Sequence, residues 1–178
     1  EAQITYSGAT SGFAGEHTQL VIDVGGGSTE FILGKGPQLV DGESFDIGCV
    51  RLTETFIKNQ PTSDSELNEL IQYIDQSVIK AHNRLKTDET SQKIIAVAGT
   101  PTTLAAAEIG YFDSTKIDGY VFSLAKLRDW QQKLIRSSVE EKIKMGIPEG
   151  RADVILVGVT ILLRTLFIFK HKELVVST

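Results

Sequence analysis

One segment, residues 23–30, constrains the fold of this sequence more than any other. It reads Asp-Val-Gly-Gly-Gly-Ser-Thr-Glu and closes a short apolar run that begins at Gln19. Two β-favouring runs joined by a Gly-rich turn are typical of an antiparallel hairpin. A carboxylate at the end of a buried strand is costly unless a metal, hydrogen bonds or water compensate its charge. The segment therefore predicts a hairpin whose turn has a function besides joining the two strands.

The composition of this turn suits phosphate. Three consecutive glycines leave it without a Cβ atom, so a ligand can come close to the backbone and meet its N–H groups. Glu30 returns a second carboxylate to the end of the hairpin where Asp23 lies. Together these groups predict a phosphate site with a divalent cation. The alternative is a tight turn with solvated acids. The predicted phosphate-binding residues are Gly25, Gly26, Gly27, Ser28 and Thr29.

A second glycine–threonine turn lies between a predicted strand, 93–98, and a predicted helix, 102–109. Thr100 suits an N-cap and Pro101 suits the first helical position. A helix N-terminus presents free amides and the positive end of the helix dipole, which attract anions. An ordinary helix start explains the pattern equally well. The predicted phosphate contacts here are Gly99, Thr100 and Thr102.

The remaining pattern predicts an α/β fold. Hairpin strands at 19–24, 31–33 and 38–47, with a further edge strand at 4–8, are followed by alternating helices and strands. This order indicates a five-stranded mixed sheet with three early antiparallel strands and helices packed on it. The arrangement resembles the ribonuclease H-like lobe of the actin, hexokinase and heat-shock ATPase superfamily.

Helix boundaries are marked in several places. A capping box, Ser63-x-x-Glu66, opens a long amphipathic helix, and Ser123 is placed to cap another. The last helix, 151–169, is apolar nearly all round, but charged side chains bracket only ten of its residues. A membrane span needs about 20 apolar residues, so we expect a buried core helix there.

Charge and cysteine usage narrow the range of partners. The 178 residues carry 18 basic and 23 acidic side chains, a net charge of -5. Nucleic acid is not an expected partner, because a net acidic chain lacks a basic face for a phosphate backbone. An anionic substrate would have to be bound by groups within its own site and not by the overall charge of the chain. Cys49 is the only cysteine, which excludes an internal disulfide and is typical of a reducing, cytoplasmic setting.

Five segments of the sequence resemble the exopolyphosphatase and guanosine-pentaphosphate phosphohydrolase (Ppx/GppA) family, a two-lobed branch of the same superfamily. They occur in the family's order and include both glycine turns. The segments are 1–8, 20–30, 47–54, 98–105 and 151–155.

The resemblance implies an activity and a division of roles. It implies Mg²⁺-dependent release of terminal phosphate from polyphosphate, or of the 5′-phosphate from guanosine pentaphosphate. The family's water-activating glutamate corresponds to Glu1, Asp23 would hold the metal, and Glu30 would be a further acid near it. These roles suit phosphoryl transfer, which needs positioning and charge neutralisation more than covalent chemistry.

The sequence departs from the family in one respect. The family's first lobe carries another phosphate loop, an acid-x-Gly followed by small polar residues. The other Asp-x-Gly here, 46–48, runs into Cys49 and is interpreted as a strand end. We therefore expect 1–178 to be a single lobe, the second, inactive alone and partnered by the first lobe of the same protein. A homodimer is also favoured.

Two other functions fit the same loops. One is a small-molecule kinase lobe that uses them for ATP, and the other is a non-catalytic lobe that binds a nucleotide or polyphosphate. The segments around Arg51 and Arg151 favour the phosphohydrolase over the kinase. Arg51 is interpreted either as a phosphate contact or as an ordinary surface residue.

Overall fold

A mixed β-sheet with helices on both faces forms the centre of the molecule. The computed structural model describes residues 2–12, 17–85 and 93–178. The strands in these ranges are β1 (Thr18–Val24), β2 (Thr29–Lys35), β3 (Gln38–Phe45), β4 (Lys93–Val97), β5 (Val121–Ser123) and β6 (Glu173–Val176). The helices are α1 (Ala2–Thr10), α2 (Cys49–Phe56), α3 (Asp64–Leu85), α4 (Gly99–Ile109), α5 (Ser114–Ile117), α6 (Leu124–Ile135), α7 (Val139–Lys144), α8 (Glu149–Ala152) and α9 (Ile155–Ile168).

The strand order is β3-β2-β1-β4-β6-β5. The first three strands are antiparallel neighbours, β1 is parallel to β4, β4 is parallel to β6, and β5 is antiparallel to β6. The α/β class and the early antiparallel strands are confirmed. The predicted number of five strands is wrong, because β5 makes six. A strand of three residues is too short to show an alternating pattern.

The two faces of the sheet bury different sets of residues. On β1, Leu20, Ile22 and Val24 belong to the large core beneath the helices, whereas Val21 packs in a smaller cluster under α1. Alternation of this kind follows from the two-residue period of a strand. It also puts Asp23 on the α1 side, because Asp23 is two residues from Val21.

Helix α9 is the predicted core helix. Eleven of its 14 residues are buried, and Arg164 makes two hydrogen bonds to Asp75 of α3, at 2.6 and 2.7 Å. The single helix predicted over 151–169 is in fact two, α8 and α9, separated at Asp153 and Val154. No helix within the described ranges is both long and apolar enough to cross a membrane.

Two short segments differ from the sequence-based expectation. Residues 4–8 form part of α1 and not an edge strand, since Tyr6 and Ala9 are buried at helical spacing while Ile4 is exposed. Strand β3 ends at Phe45, and Gly48 is the N-cap of α2. The interpretation of 46–48 as a strand end is therefore wrong. The capping box is confirmed by bonds from Ser63 N to Glu66 Oε2 and from Glu66 N to Ser63 Oγ.

A fully buried lysine joins three parts of the structure. Lys142 of α7 donates to Gln60 Oε1, and Gln60 Nε2 donates to the carbonyl of Asp153 at 2.9 Å. Burial lowers the pKa of Lys142 to about 8, although the charge of Asp153 acts in the opposite direction. The protein thus folds with an ammonium group whose charge is poorly compensated.

Lys142 is expected to make stability rise with pH. Its pKa is about 8 in the folded protein, against a usual value of 10.5, so the unfolded chain binds more protons between these values. The free energy of unfolding should rise by roughly 1–3 kcal/mol over this interval. Urea unfolding at pH 8 and pH 10.5 should show that rise in the parent and in Lys144→Met, on the exposed side of α7, but not in Lys142→Met. An equal rise in Lys142→Met would contradict this assignment.

Candidate phosphate-binding site

Three polar side chains form a row across the first three strands. Asp23 lies opposite Glu30 in the β1–β2 ladder, and Glu30 lies opposite Ser44 in the β2–β3 ladder. Directly opposed residues point to the same face of a sheet, and this is the face on which α1 packs. The row borders an open cleft of about 730 Å³, which is also lined by Ala2 and Thr5 of α1.

The carboxylate of Glu30 is oriented by two hydroxyl groups. Ser28 Oγ donates to Glu30 Oε1 at 2.6 Å, and Ser44 Oγ donates to the same oxygen at 2.7 Å. Neither bond uses Oε2. Sequence reasoning identified Ser28 but not Ser44. Ser44 is 14 residues from Glu30 in the chain, and only the register of β3 against β2 brings the two together.

The glycine turn is attached to the N-terminus of α2 through its carbonyl groups. Cys49 N donates to the carbonyl of Gly25 at 2.9 Å, and the N–H groups of Val50 and Arg51 donate to that of Gly26 at 2.9 and 3.1 Å. Arg51 Nε donates to the third carbonyl, that of Gly27, at 2.9 Å. The first N–H groups of a helix have no partner within the helix, so the turn satisfies donors that α2 cannot satisfy itself.

This attachment fixes the direction of three amides. In a trans peptide the N–H points away from the carbonyl of the preceding residue. Because the carbonyls of Gly25, Gly26 and Gly27 face α2 or Arg51, the N–H groups of Gly26, Gly27 and Ser28 point to the opposite side. Those three N–H groups have no hydrogen-bond partner among residues 2–12, 17–85 and 93–178. Consecutive N–H groups of this kind bind anions.

Gly48 is the residue on which this contact depends most closely. A Cβ atom at this position would lie 2.3 Å from the carbonyl oxygen of Gly26 and 2.3 Å from the carbonyl carbon of Gly27. The Gly48 φ angle of −94° suits any residue, so the requirement for glycine is steric. Gly48 is not among the residues predicted from the sequence, since its role is visible only once α2 is packed against the turn.

Thr29 has a different environment from the rest of the turn. It is fully buried, and its hydroxyl donates to the carbonyl of Ile47 at 2.6 Å. It is adjacent to Glu30 in β2, so the two side chains point to opposite faces of the sheet. The Thr29 hydroxyl therefore holds the segment before Gly48 and lies on the face of the sheet away from the cleft.

The second glycine turn lies at the same edge of the sheet. Strands β1 and β4 are parallel, with Asp23 opposite Val97, so the turns that follow them are neighbours, as is usual where open α/β sheets bind ligands. Helix α4 begins at Gly99, with Ala98 as N-cap at a positive φ of 71°. The predicted threonine cap and start at residue 102 are wrong.

The predicted threonines of this turn contact the protein itself. Thr100 is buried against α9, where a Cβ at Gly158 would lie 2.3 Å from the Thr100 hydroxyl oxygen. Thr102 Oγ1 donates to the carbonyl of Ala98 at 2.9 Å. These contacts place the start of α4, whereas the sequence had suggested hydroxyls directed at a ligand.

Two arginines bring positive charge to the two turns. Arg51 spans the first turn, bonding Gly27 and lying 3.4 Å from Asp46. Arg151 lies against the second, because a Cβ at Gly99 would be 1.8 Å from its Nη1 atom. Cys49, the first residue of α2, is buried. Burial raises the pKa of its thiol, which the charge of Arg151 partly offsets.

The cleft has some of the groups that a divalent cation needs. Asp23 and Glu30 supply carboxylate oxygens, which Mg²⁺ prefers as ligands. Within the described ranges, no group of three or more His, Cys, Asp or Glu side chains is arranged to hold a metal ion. The two acids therefore fit a cation that also takes water or substrate oxygens. Glu1 lies outside the described residues, although the next residue, Ala2, lines the cleft.

Replacing Gly48 with alanine should impair anion binding. The added methyl group would separate the turn from α2 and release the peptide planes that direct the three amides. The affinity of the full-length protein for inorganic phosphate should fall at least about tenfold, or roughly 1.4 kcal/mol. Titration calorimetry measures this. Gly150→Ala, with nothing within 4 Å of the added atom, is the matched control, and equal affinity in both variants would contradict the amide site.

Comparison with known proteins gives a consistent result. The Ppx/GppA phosphatase family model matches residues 1–178. A bifunctional 3-dehydroquinate synthase/phosphatase from Fusobacterium nucleatum is 34% identical over 99% of this chain and 27% of its own length. Exopolyphosphatase 2 from Mycobacterium tuberculosis is 32% identical over 87% of this chain and 49% of its own length.

The fold comparison agrees. The crystal structure of the type II variant of the Aquifex aeolicus Ppx/GppA phosphatase superposes with a TM-score of 0.91 at 32% identity. The match covers 99% of this chain and 58% of that structure. The present chain therefore spans about half or less of the length of the relatives named above, and somewhat over half of the Aquifex structure.

Proposed function

This chain belongs to the Ppx/GppA phosphatase family, and from that premise we propose that it is one lobe of a phosphohydrolase. Its substrate is a chain of phosphates, either inorganic polyphosphate or guanosine pentaphosphate, from which it releases the terminal or 5′-phosphate. The observation that carries this proposal is the set of three amides, without hydrogen-bond partners in the part of the chain that the structure describes, beside the row of Asp23 and Glu30. Amides and acids so close together suit a phosphate that is bound with a cation.

The amides of Gly26, Gly27 and Ser28 would hold the phosphoryl group that is transferred. They suit this role because α2 fixes their direction before substrate arrives, so little reorganisation is needed as charge develops. Arg51 and Arg151 add positive charge next to the two turns. Hydrogen-bond donors and two guanidinium groups can thereby attract a polyanion to a chain whose net charge is -5.

The two carboxylates would hold the cation. Asp23 is its proposed ligand, and Glu30, kept in place by Ser28 and Ser44, is a further acid beside it. When bound, Mg²⁺ would neutralise charge on the phosphate oxygens. Without a cation, two carboxylates facing the same cleft would repel the phosphate that the amides attract.

Glu1 would activate the attacking water. Ala2 and Thr5 line the same cleft as Asp23 and Glu30, so α1 would begin beside the substrate. Water oxygen attacks the terminal phosphorus, the bridging P–O bond breaks, and the water proton passes to the Glu1 carboxylate. The products are inorganic phosphate and a chain that is shorter by one phosphate. The base must lie within hydrogen-bond reach of the water, which makes the position of α1 critical.

The rest of the enzyme would be supplied by a first lobe of the same protein. Relatives of about twice this length and the open cleft both support this arrangement. We further propose that the isolated lobe is inactive, that the enzyme works in the cytoplasm, where the Cys49 thiol stays reduced, and that it forms a homodimer.

Two substitutions in the full-length protein test the proposal. Asp23→Asn removes the charge that holds the cation, and Glu1→Gln removes the base. Each should lower kcat for phosphate release by roughly 10²–10⁴-fold. Release is measured with long-chain polyphosphate and with guanosine pentaphosphate. Glu54→Gln, on the exposed side of α2, is the control.

The outcomes separate the alternatives. Full activity in Asp23→Asn would contradict a catalytic role for this cleft and favour a lobe that only binds its ligand. ATP-dependent phosphorylation of a small molecule, with no phosphate released from either substrate, would favour a kinase.

A further inference from the structure

Helix α1 is held against the sheet by few contacts. Of its nine residues, Tyr6 and Ala9 are buried, at 0% and 4% exposure, whereas Ile4 is 79% exposed. A helix of this length is marginally stable by itself in water. Its position therefore depends on where those two side chains pack, and Tyr6 is by far the larger.

Tyr6 sits directly on the backbone of β2. A Cβ atom at Gly34 would lie 2.2 Å from Tyr6 Cζ and 2.4 Å from its hydroxyl oxygen, so no other residue type leaves room for the ring. The β2–β3 register also shifts between Leu33 and Gly34. The strand is thus locally irregular at the point where the ring contacts it.

Hydrogen bonds fix the other end of the tyrosine. Its hydroxyl lies 2.9 Å from the carbonyl oxygen of Gly36 and 3.1 Å from Gln19 Oε1. Burial raises the pKa of Tyr6, so the phenol remains a neutral donor at ordinary pH. The ring cannot move along the sheet without losing these bonds.

The same side chain connects α1 to the acidic row. Tyr6 packs in one cluster with Val21 and Ile32, which lie two residues before Asp23 on β1 and two residues after Glu30 on β2, on the same face. Ala2 is one helical turn before Tyr6 and lines the cleft. A shift of the tyrosine would therefore move the first turn of α1 relative to both carboxylates.

We propose that Tyr6, seated on Gly34, is a positioning residue that fixes the first turn of α1 against the Asp23–Glu30 row. Through this turn it would act on the proposed role of Glu1, the residue that precedes Ala2 in the chain. This inference rests on the proposed function, since it assumes that Glu1 is the base. In this role Tyr6, which is fully buried, would not itself contact substrate.

Two variants of the full-length protein disturb the contact between Tyr6 and β2 in different ways. Gly34→Ala pushes the ring outward, and Tyr6→Phe keeps the ring but removes its hydroxyl. Gly8→Ala is the matched control, because it adds the same methyl group to an exposed position of α1 with nothing within 4 Å. Each is made in the parent and in Glu1→Gln. Thermal unfolding identifies any variant that fails to fold. If Gly34→Ala fails to fold, Tyr6→Phe still tests the inference.

Misplacing a catalytic group lowers kcat and leaves KM nearly unchanged. We expect kcat for phosphate release to fall about 100-fold in Gly34→Ala and about 10-fold in Tyr6→Phe, with KM and the affinity for inorganic phosphate changed less than about threefold. In the Glu1→Gln background the same substitutions should change the residual rate less than about twofold, because two residues that act through one step are not additive.

Three results would overturn the inference. The first is an equal fold-loss in both backgrounds, which would mean that Tyr6 does not act through Glu1. The second is loss of phosphate affinity with unchanged kcat, which would place its effect at the glycine turn. The third is full activity in both Gly34→Ala and Tyr6→Phe. Full activity in Glu1→Gln alone would instead show that the proposed base is wrong and remove the premise.

Discussion

The site depends on backbone hydrogen bonds between the glycine turn and the N-terminus of α2. Both partners carry groups that need satisfying: the helix has N–H donors without intrahelical acceptors, and the turn has carbonyls outside any ladder. Pairing them satisfies both sets and turns the N–H groups of three successive residues away from α2. Gly48 permits the contact because a Cβ there would overlap the turn. The proposed anion site is therefore a consequence of how the backbone donors at the start of α2 find their acceptors.

The acidic balance of the chain also becomes understandable in this setting. Long-range attraction by net charge is not available at -5, so binding of an anion has to rely on short-range groups. In the proposed site, amides would hold phosphate without adding charge, two arginines lie at the turns, and the carboxylates suit a cation that would arrive with the substrate. Such a site discriminates by geometry, since hydrogen bonds are more directional than a diffuse basic surface.

Sequence patterns predicted the elements that are long or periodic, and missed those that are short. Strands β1 and β4, the capping box before α3 and the buried character of α9 follow from local residue types and spacing. Strand β5 has three residues, and α1 exposes Ile4 while burying Tyr6, so neither shows a clear period. Helix α2 was not predicted because Gly48, read from the sequence alone, looks like the end of a strand. Its contact with the glycine turn is visible only in the tertiary structure.

By itself, the sequence determined the chemistry of the first turn: an acid on each side of the turn and three residues without side chains between them. It could not determine which groups face the cleft. Thr29 and Glu30 are neighbours with similar prospects as ligands, yet the two-residue period of β2 buries one and exposes the other to the cleft. Ser44, Gly34 and Arg151 acquire their roles from strand register and helix packing over long separations. Tertiary structure decided these points because hydrogen bonds and steric contacts depend on direction and distance, which local residue types do not specify.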